Sequence, residues 1–316
     1  MTTTLGTYQA FNFRILAVLS SCLLLKVGIL TRNQDAWCSS RLLTSFRRNG
    51  ADPVALSFSD LTARLRMGPY VTLGQIDLIK DLGAILVRPI GRGSLDEVIF
   101  QMDLLHKFSR SGLPVINHPS AIERAVDKYY ALSILDEKHV PVPRTVVTEN
   151  VSEALAAFRA FGDEAVVKPV FGSRGIGASR ISDADVAERV FRTLRFYRHV
   201  IYVQEFVPHG KRDIRTFVVG DRVVAAMYRV SESWKTNVSQ GATPVKADLV
   251  EDAEKISLQA AEAIGCEIGG VDLMESDSGL LVNEVNSQPG WRGLQTTTKV
   301  NIADHIAEYV LSKTTS

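Results

Sequence analysis

The residues of this chain best suited to chemistry lie between Gly270 and Gly293, in the run GVDLMESDSGLLVNEVNSQPGWRG. Strand alternation sets Asp272 between apolar Val271 and Leu273, while Glu284 and Asn286, two residues apart, share one face of a following strand. A polar turn at 276–279 would fold the two strands together, so three oxygen-bearing side chains converge with no His or Cys among them. Such a donor set suits a hard cation such as Mg²⁺, which keeps several waters and shares substrate phosphates. Solvated carboxylates on an ordinary hairpin are the alternative. Glu284 and Asn286 interrupt an apolar strand, however, and the rigid Pro289–Gly290 turn follows, which favours a site.

Residues that could face a polyphosphate occur upstream. Lys168 sits between Val167 and Pro169 in an apolar strand, a poor place for a surface cation. The run Gly172-Ser173-Arg174-Gly175-Ile176-Gly177 follows. It is neither a Walker loop nor a dinucleotide fingerprint, because it lacks a G-K-[ST] ending and joins strand to strand. Gly172, Gly175 and Gly177 let its backbone fold over phosphates with amide donors exposed, Ser173 among them. With Lys128 and Lys168, this flap can screen a triphosphate whose metal Asp272, Glu284 and Asn286 would hold. Gln204, Glu205, Phe206 and Val207 end a strand whose backbone groups could pair with a purine edge. Asp213 and Arg215 share a strand face, which assigns Asp213 to a ribose and Arg215 to charge developing on a transferred phosphoryl group. Arg88 and Arg92 flank glycine at another strand end and suit a carboxylate or phosphate, with a solvated loop equally open.

Positioning these groups needs a mixed fold. Strands at 27–30, 53–58, 84–87 and 115–117 alternate with helices at 34–49 and 96–111, which implies a parallel sheet with covered faces and ligands at its carboxyl edge. Ile99, Met102 and Leu105 or His106 form the expected buried stripe of the second helix. Ser120 with Glu123 reads as a capping box opening one helix that runs through Lys128 to about residue 139. A helix opened by Ser182 and Asp185 would bury Val186, Val190, Leu194 and Tyr197. Strands follow at 201–206, 213–219 and 222–228, a helix at 252–264 ends at Gly265, and a last helix spans 302–311.

Hydrophobic residues make up 46% and charged residues 22%, as in ordinary folded proteins. A net charge of +1 gives no global attraction to nucleic acid, so none is expected as a partner. Cys22, Cys38 and Cys266 lie far apart, which argues against a disulfide framework and for a reducing, cytoplasmic setting. Ile15 to Leu25 is apolar after Arg14 and resembles a secretory core, with a lipoprotein-like Leu19-Ser20-Ser21-Cys22. The run is short of the roughly 20 residues a membrane span needs. Residues 1–25 therefore read as an extension outside the fold, and no membrane partner is expected.

The order Lys128, V-V-K-P, G-S-R-G-I-G, Q-E-F, D-I-R, K-T-N, V-D and N-E-V-N-S-Q-P-G resembles the ATP-grasp superfamily, and more narrowly its RimK-type glutamate ligases. The resemblance covers Lys26 to the C-terminus. It implies an α/β and α+β architecture: an N-terminal parallel α/β domain at 26–117, then two ATP-grasp lobes at 118–207 and 208–316 with ATP between them. It implies that Lys128, Lys168 and residues 204–207 bind ATP with Asp213 and Asn237, and that Asp272, Glu284 and Asn286 hold two Mg²⁺ or Mn²⁺ ions. It further implies amide formation through an acyl phosphate, with Arg215 on the oxyanion, Arg292 on a substrate carboxylate, and Arg88 and Arg92 reaching the acceptor. Ser239-Gln240-Gly241-Ala242 replaces the basic H-R-G-G of ligases that act on a ribosomal protein. V-R-P-I-G-R-G-S-L-D-E-V-I-F-Q-M-D-L-L-H and V-D-K-Y-Y instead resemble the branch acting on tetrahydromethanopterin, with the deazaflavin-coenzyme branch as its nearest competitor. The implied partners are a small-molecule coenzyme acceptor and L-glutamate, and a homo-oligomer stays open. A non-catalytic nucleotide-binding module is the alternative class.

Overall fold

A computed structural model describes residues 24–91, 93–172 and 175–314. The expected extension over 1–25 lies outside the described residues up to residue 23, and Leu25 already begins the first strand. Arg92 and Ser173 also lie outside them.

The N-terminal part contains β1 (Leu25–Leu30), α1 (Trp37–Arg48), β2 (Ala51–Leu56), β3 (Leu61–Ala63), β4 (Val71–Leu73), β5 (Ile76–Asp77), α2 (Leu78–Asp81), β6 (Ala84–Val87), α3 (Leu95–Arg110) and β7 (Val115–Ile116). Strands β2-β1-β6-β7 form a parallel sheet in that order. Its strands are apolar on both faces because both are covered: Val27 and Ile29 pack towards α1, Leu30, Ile85 and Val87 towards α3. The small β3-β4-β5 sheet has strands too short and polar to show a period in the sequence.

Three helix expectations are corrected. Helix α3 buries Leu104, Leu105 and Phe108, while Ile99 is 51% exposed. Its capping box is Ser94 with Glu97. Ser120 caps nothing: the next helix starts at Pro119 with His118 Nδ1 accepting from Ser120 N at 3.3 Å, and Glu123 pairs with His106 instead. That helix also breaks into α4 (Pro119–Val126) and α5 (Lys128–Glu137), because the Asp127 carboxylate accepts from the amides of Tyr129 and Tyr130. Lys128 thus stands at the first turn of a helix rather than within one.

The central part contains β8 (Thr145–Thr148), α6 (Val151–Ala160), β9 (Ala165–Val167), β10 (Ser179–Ile181), α7 (Ala184–Phe196) and β11 (Ile201–Glu205). Its antiparallel sheet, β10-β9-β11-β8, packs against Ala154, Phe158, Ala187 and Phe191. Asp183 rather than Ser182 caps α7, which turns its buried face to Ala187 and Phe191 and leaves Val186 and Tyr197 exposed.

The last part contains β12 (Arg212–Val219), β13 (Arg222–Val230), β14 (Thr243–Lys246), α8 (Glu251–Ile264), β15 (Ile268–Ser276), β16 (Gly279–Asn286), α9 (Arg292–Gln295) and α10 (Ile302–Ser312). Its five strands run β14-β13-β12-β15-β16, all antiparallel, with α8 on one face. Helix α10 returns to α1, so Phe217 and Trp291 share a core with Val27 and Ile29. Among the described residues no helix is long and apolar enough to cross a membrane.

Buried Asn117 fastens the parallel sheet to this last part. Its Oδ1 accepts from Ile268 N at 2.8 Å, and its Nδ2 donates to Ile268 O at 2.7 Å and to Ser287 O. Replacing Asn117 by Ala strands those backbone groups in the interior. We expect a loss of about 1–3 kcal/mol, read as a lower urea midpoint with an unchanged slope.

Candidate active site

A cleft open to solvent lies between β9 and β11 of the central sheet and the five-stranded sheet. Its floor is a ladder of cross-strand charges. Asp213 stands opposite Arg229, Arg215 opposite Asp272, and Asp272 opposite Glu284. Arg229 grips Asp213 with two nitrogens, Nε to Oδ1 at 2.7 Å and Nη2 to Oδ2, and its Nη2 also lies 3.1 Å from Asp272 Oδ2. Arg215 Nε sits 2.8 Å from Asp272 Oδ1. Burial opposes charge on Arg229, but Asp272 and Asp213 outweigh it and hold the guanidinium firmly protonated. Burial, aided by Asp272, pushes the Asp213 carboxyl up against the pull of Arg229 and Thr236.

Asp213, the expected ribose contact, lines the cleft but turns its carboxylate to neighbouring side chains. Both its oxygens are engaged by Arg229 and one also by Thr236, which makes it the anchor of Arg229. Arg229 was not anticipated, although a charge inside the apolar run AAMYRV was a usable signal.

A bulge shapes the far wall. Leu273 pairs with Val282 and Asp272 with Glu284, leaving Asn283 as the extra residue. Val282 and Val285 are both buried, so Asn283 and Glu284 both face the cleft while Asn286 keeps Glu284's side. Strict alternation gave no sign of Asn283. Asn286 lies beyond the cleft lining, its Nδ2 donating to Gly270 O at 3.4 Å.

The donors fit a hard cation. Asp272 Oδ1 is buried with no directed hydrogen bond among the described residues despite the nearby Arg215, Glu284 lies opposite it, and the set offers oxygen only.

Lys168 faces this wall, donating to Gln204 Oε1 at 2.6 Å and to Asn283 Oδ1 at 2.8 Å. Burial lowers its ammonium to about 8, with Glu284 and Asp272 opposing and Lys128 reinforcing. Lys128 donates to the Gly172 carbonyl, which brings the flap into the cleft. Gly175 has φ of 68°, and a Cβ there would overlap Asn237 Oδ1, so flap and K-T-N segment meet only because that residue is glycine. Gly177 packs beside Pro169, next to the lining. The Gln204 side chain is spent on Lys168, Thr145 and Tyr202, and the Glu205 carboxylate on Arg144, so only backbone there could meet a purine. Phe206 sits edge-on to Trp234, a lining residue without a sequence signal, and both flank the cleft with Val207.

The remaining arginines depart from expectation. Arg88 is buried, not in an open loop: its Nη2 donates to Pro289 O at 3.0 Å and its guanidinium stacks over Trp291. Arg292 opens α9, exposed and away from the cleft lining. Arg215 is the rung of the ladder outside the cleft lining, and Gly270 leaves room for its Nη1.

Comparison with known proteins gives the family. The RimK-like ATP-grasp domain matches residues 125–310. The chain belongs to the RimK-like ATP-grasp family. A Methanocaldococcus jannaschii protein named tetrahydromethanopterin:alpha-L-glutamate ligase is 37% identical over 294 residues, covering 91% of this chain and 98% of the relative. Its Methanococcus maripaludis namesake is 35% identical over 293 residues with the same coverage. The ATP-grasp ligase PsnB, solved with a phosphomimetic variant of a minimal precursor, Mg and ADP, matches with a TM-score of 0.71 at 19% identity. That match spans 92% of this chain and 99% of the other, and it shows the shared fold.

The ladder separates two substitutions that look alike in sequence. Asp272→Asn removes the counter-charge between two buried arginines and should cost about 3 kcal/mol or more. Glu284→Gln, at the open end, should cost less than about 1 kcal/mol. Urea denaturation of both variants checks the difference.

Proposed function

We propose that the chain is an ATP-dependent ligase joining L-glutamate to a carboxylate acceptor, tetrahydromethanopterin, to give a tetrahydrosarcinapterin-like product, ADP and phosphate. One observation carries the acceptor: relatives bearing that ligase name align along 98% of their length at 35% and 37% identity. The cleft supports the chemistry, since it joins cationic groups for phosphates to an oxygen-only carboxylate pair. A reducing, cytoplasmic setting accords with the free Cys38 and Cys266.

The acceptor carboxylate attacks the γ-phosphorus of ATP, forming an acyl phosphate and releasing ADP. The amine of L-glutamate then attacks the acyl carbon and expels phosphate. Such transfers need positioning and charge neutralisation more than covalent help from the protein. Lys128, Lys168 and the flap amides at Gly172, Gly175 and Gly177 would screen the phosphates. Backbone groups of residues 204–207 would take the adenine edge, and Asn237 would complete that wall. Asp272 and Glu284, with Asn286 next along the same side of β16, would hold Mg²⁺ or Mn²⁺, which when bound neutralises the β- and γ-phosphates. Arg215, fixed by Asp272, would stabilise the oxyanion formed when the amine adds.

Sustained ADP release should require L-glutamate and the pterin acceptor together, and Glu284→Gln should lower kcat by about a hundredfold or more. A deazaflavin acceptor working in place of the pterin would reassign the substrate, and silence with every carboxylate–amine pair would sink the ligase.

Lys168 attracts phosphate only when protonated. With its free-enzyme value near 8, ATP affinity should fall as pH rises through that value, by up to about tenfold per unit. Lys168→Arg, always charged, should flatten the profile, as calorimetry between pH 7 and 9.5 would reveal.

A further inference from the structure

Five buried side-chain atoms lack a hydrogen-bond partner among the described residues: Arg88 Nε, Arg215 Nη1, Gln288 Nε2, Trp291 Nε1 and Asp272 Oδ1. The last belongs to the metal-type pair. The other four are all N–H donors, and all lie in or against one turn, Gln288 to Trp291. Gln288 and Trp291 are its two ends. Arg88 lies against it from the parallel sheet, donating from Nη2 to Pro289 O at 3.0 Å with its guanidinium 4.8 Å from the Trp291 ring centroid. Arg215 reaches the turn from the five-stranded sheet: a Cβ on Gly270 would meet both Arg215 Nη1 and, at 2.8 Å, Pro289 Cβ.

Buried donors are almost always paired, so unpaired ones call for a specific explanation. Four of the five are donors that lie in or against one turn, two of them guanidinium. Among the described residues no carboxylate pairs with Arg88, whose guanidinium meets the Cys38 thiol and Pro289 O, and Asp272 meets Arg215 at Nε, not at Nη1. The missing complement is an anion with several acceptor oxygens. The turn also borders open space. Gly290 is exposed between buried Pro289 and Trp291, and a Cβ there would meet nothing within 4 Å.

We propose that this turn seats a carboxylate of the incoming L-glutamate, held by Arg88 and Arg215 with Gln288 and Trp291 as neutral donors. This rests on the ligase reading above. The acceptor carboxyl that is activated must lie at the γ-phosphate, on the Asp272 side of Arg215. The glutamate amine must reach the same acyl carbon, while its carboxylates do not react and are free to serve as anchors. A turn one guanidinium away from Asp272 suits that anchor. Arg88 and Trp291 are then specificity residues for the amino acid rather than for the coenzyme.

The test is steady-state kinetics of the full chain as wild type, Trp291→Phe, Arg88→Lys and Arg88→Gln, with KM measured separately for glutamate, acceptor and ATP. Trp291→Phe keeps an aromatic ring and removes a donor that has no partner among the described residues. It should raise the KM for glutamate about tenfold and leave that for ATP unchanged. Arg88→Gln should raise it further and erase the preference for glutamate over either of its monoamides, glutamine or isoglutamine. Arg88→Lys should recover part of the loss. A purely structural role, with water satisfying the donors, would lower the thermal midpoint of each variant while the glutamate KM stays put; that result, or a rise in acceptor KM instead, overturns the inference. Wild-type protein with no ADP release for any pair overturns the ligase reading, and this inference with it.

Discussion

Everything at the cleft depends on one buried chain of charges, Asp213–Arg229–Asp272–Arg215. Burying four charged groups carries a large desolvation cost, which mutual attraction repays only with good geometry. An apolar replacement of similar shape would often be as stable. The ladder is better understood by what it fixes: Asp272 is held from both sides by arginines, and the same pairing aims Arg215 towards the Gln288–Trp291 turn. Cross-strand register sets these partners, with Thr236 of the following loop also holding Asp213, so the sheet itself largely orients the charges.

The five-stranded sheet supplies this floor, the central sheet brings Lys168 and Gln204 over it, and α5 delivers Lys128 to the flap. The parallel sheet acts as a buttress. Asn117 and Arg88 both reach from its carboxyl edge to the segment after β16, one to Ser287 and one to Pro289. Strand ends of a parallel sheet are where ligands usually collect. In this chain that edge is partly used to brace a hairpin, which brings a cation from one fold element against the reactive side of another.

Much of this was legible from sequence. The β16 positions Glu284 and Asn286 share a side as a two-residue spacing requires, and Lys168 is half-buried in the cleft wall after its apolar strand. What escaped had local causes. Asn283 enters the cleft through a bulge, which shifts parity by one and leaves no compositional mark. Lys128 lies at a helix start because Asp127 captures two amides, a competition a helical period cannot reveal. The Ser120 capping box lost to His118 and Pro119, which open the helix earlier. Arg88 looked like a loop cation because its partners, Pro289 and Trp291, lie about two hundred residues away in the chain.

The central claim is that this floor supports activation of a carboxylate by ATP, and oxygen tracing tests it most directly. With acceptor labelled by ¹⁸O in its reacting carboxyl group, the attack on phosphorus carries one labelled oxygen into the acyl phosphate, and the amine's attack expels it with the phosphate. Mass spectrometry of the phosphate released alongside the glutamyl product should find one ¹⁸O per molecule. Unlabelled phosphate from an otherwise productive reaction would contradict the account.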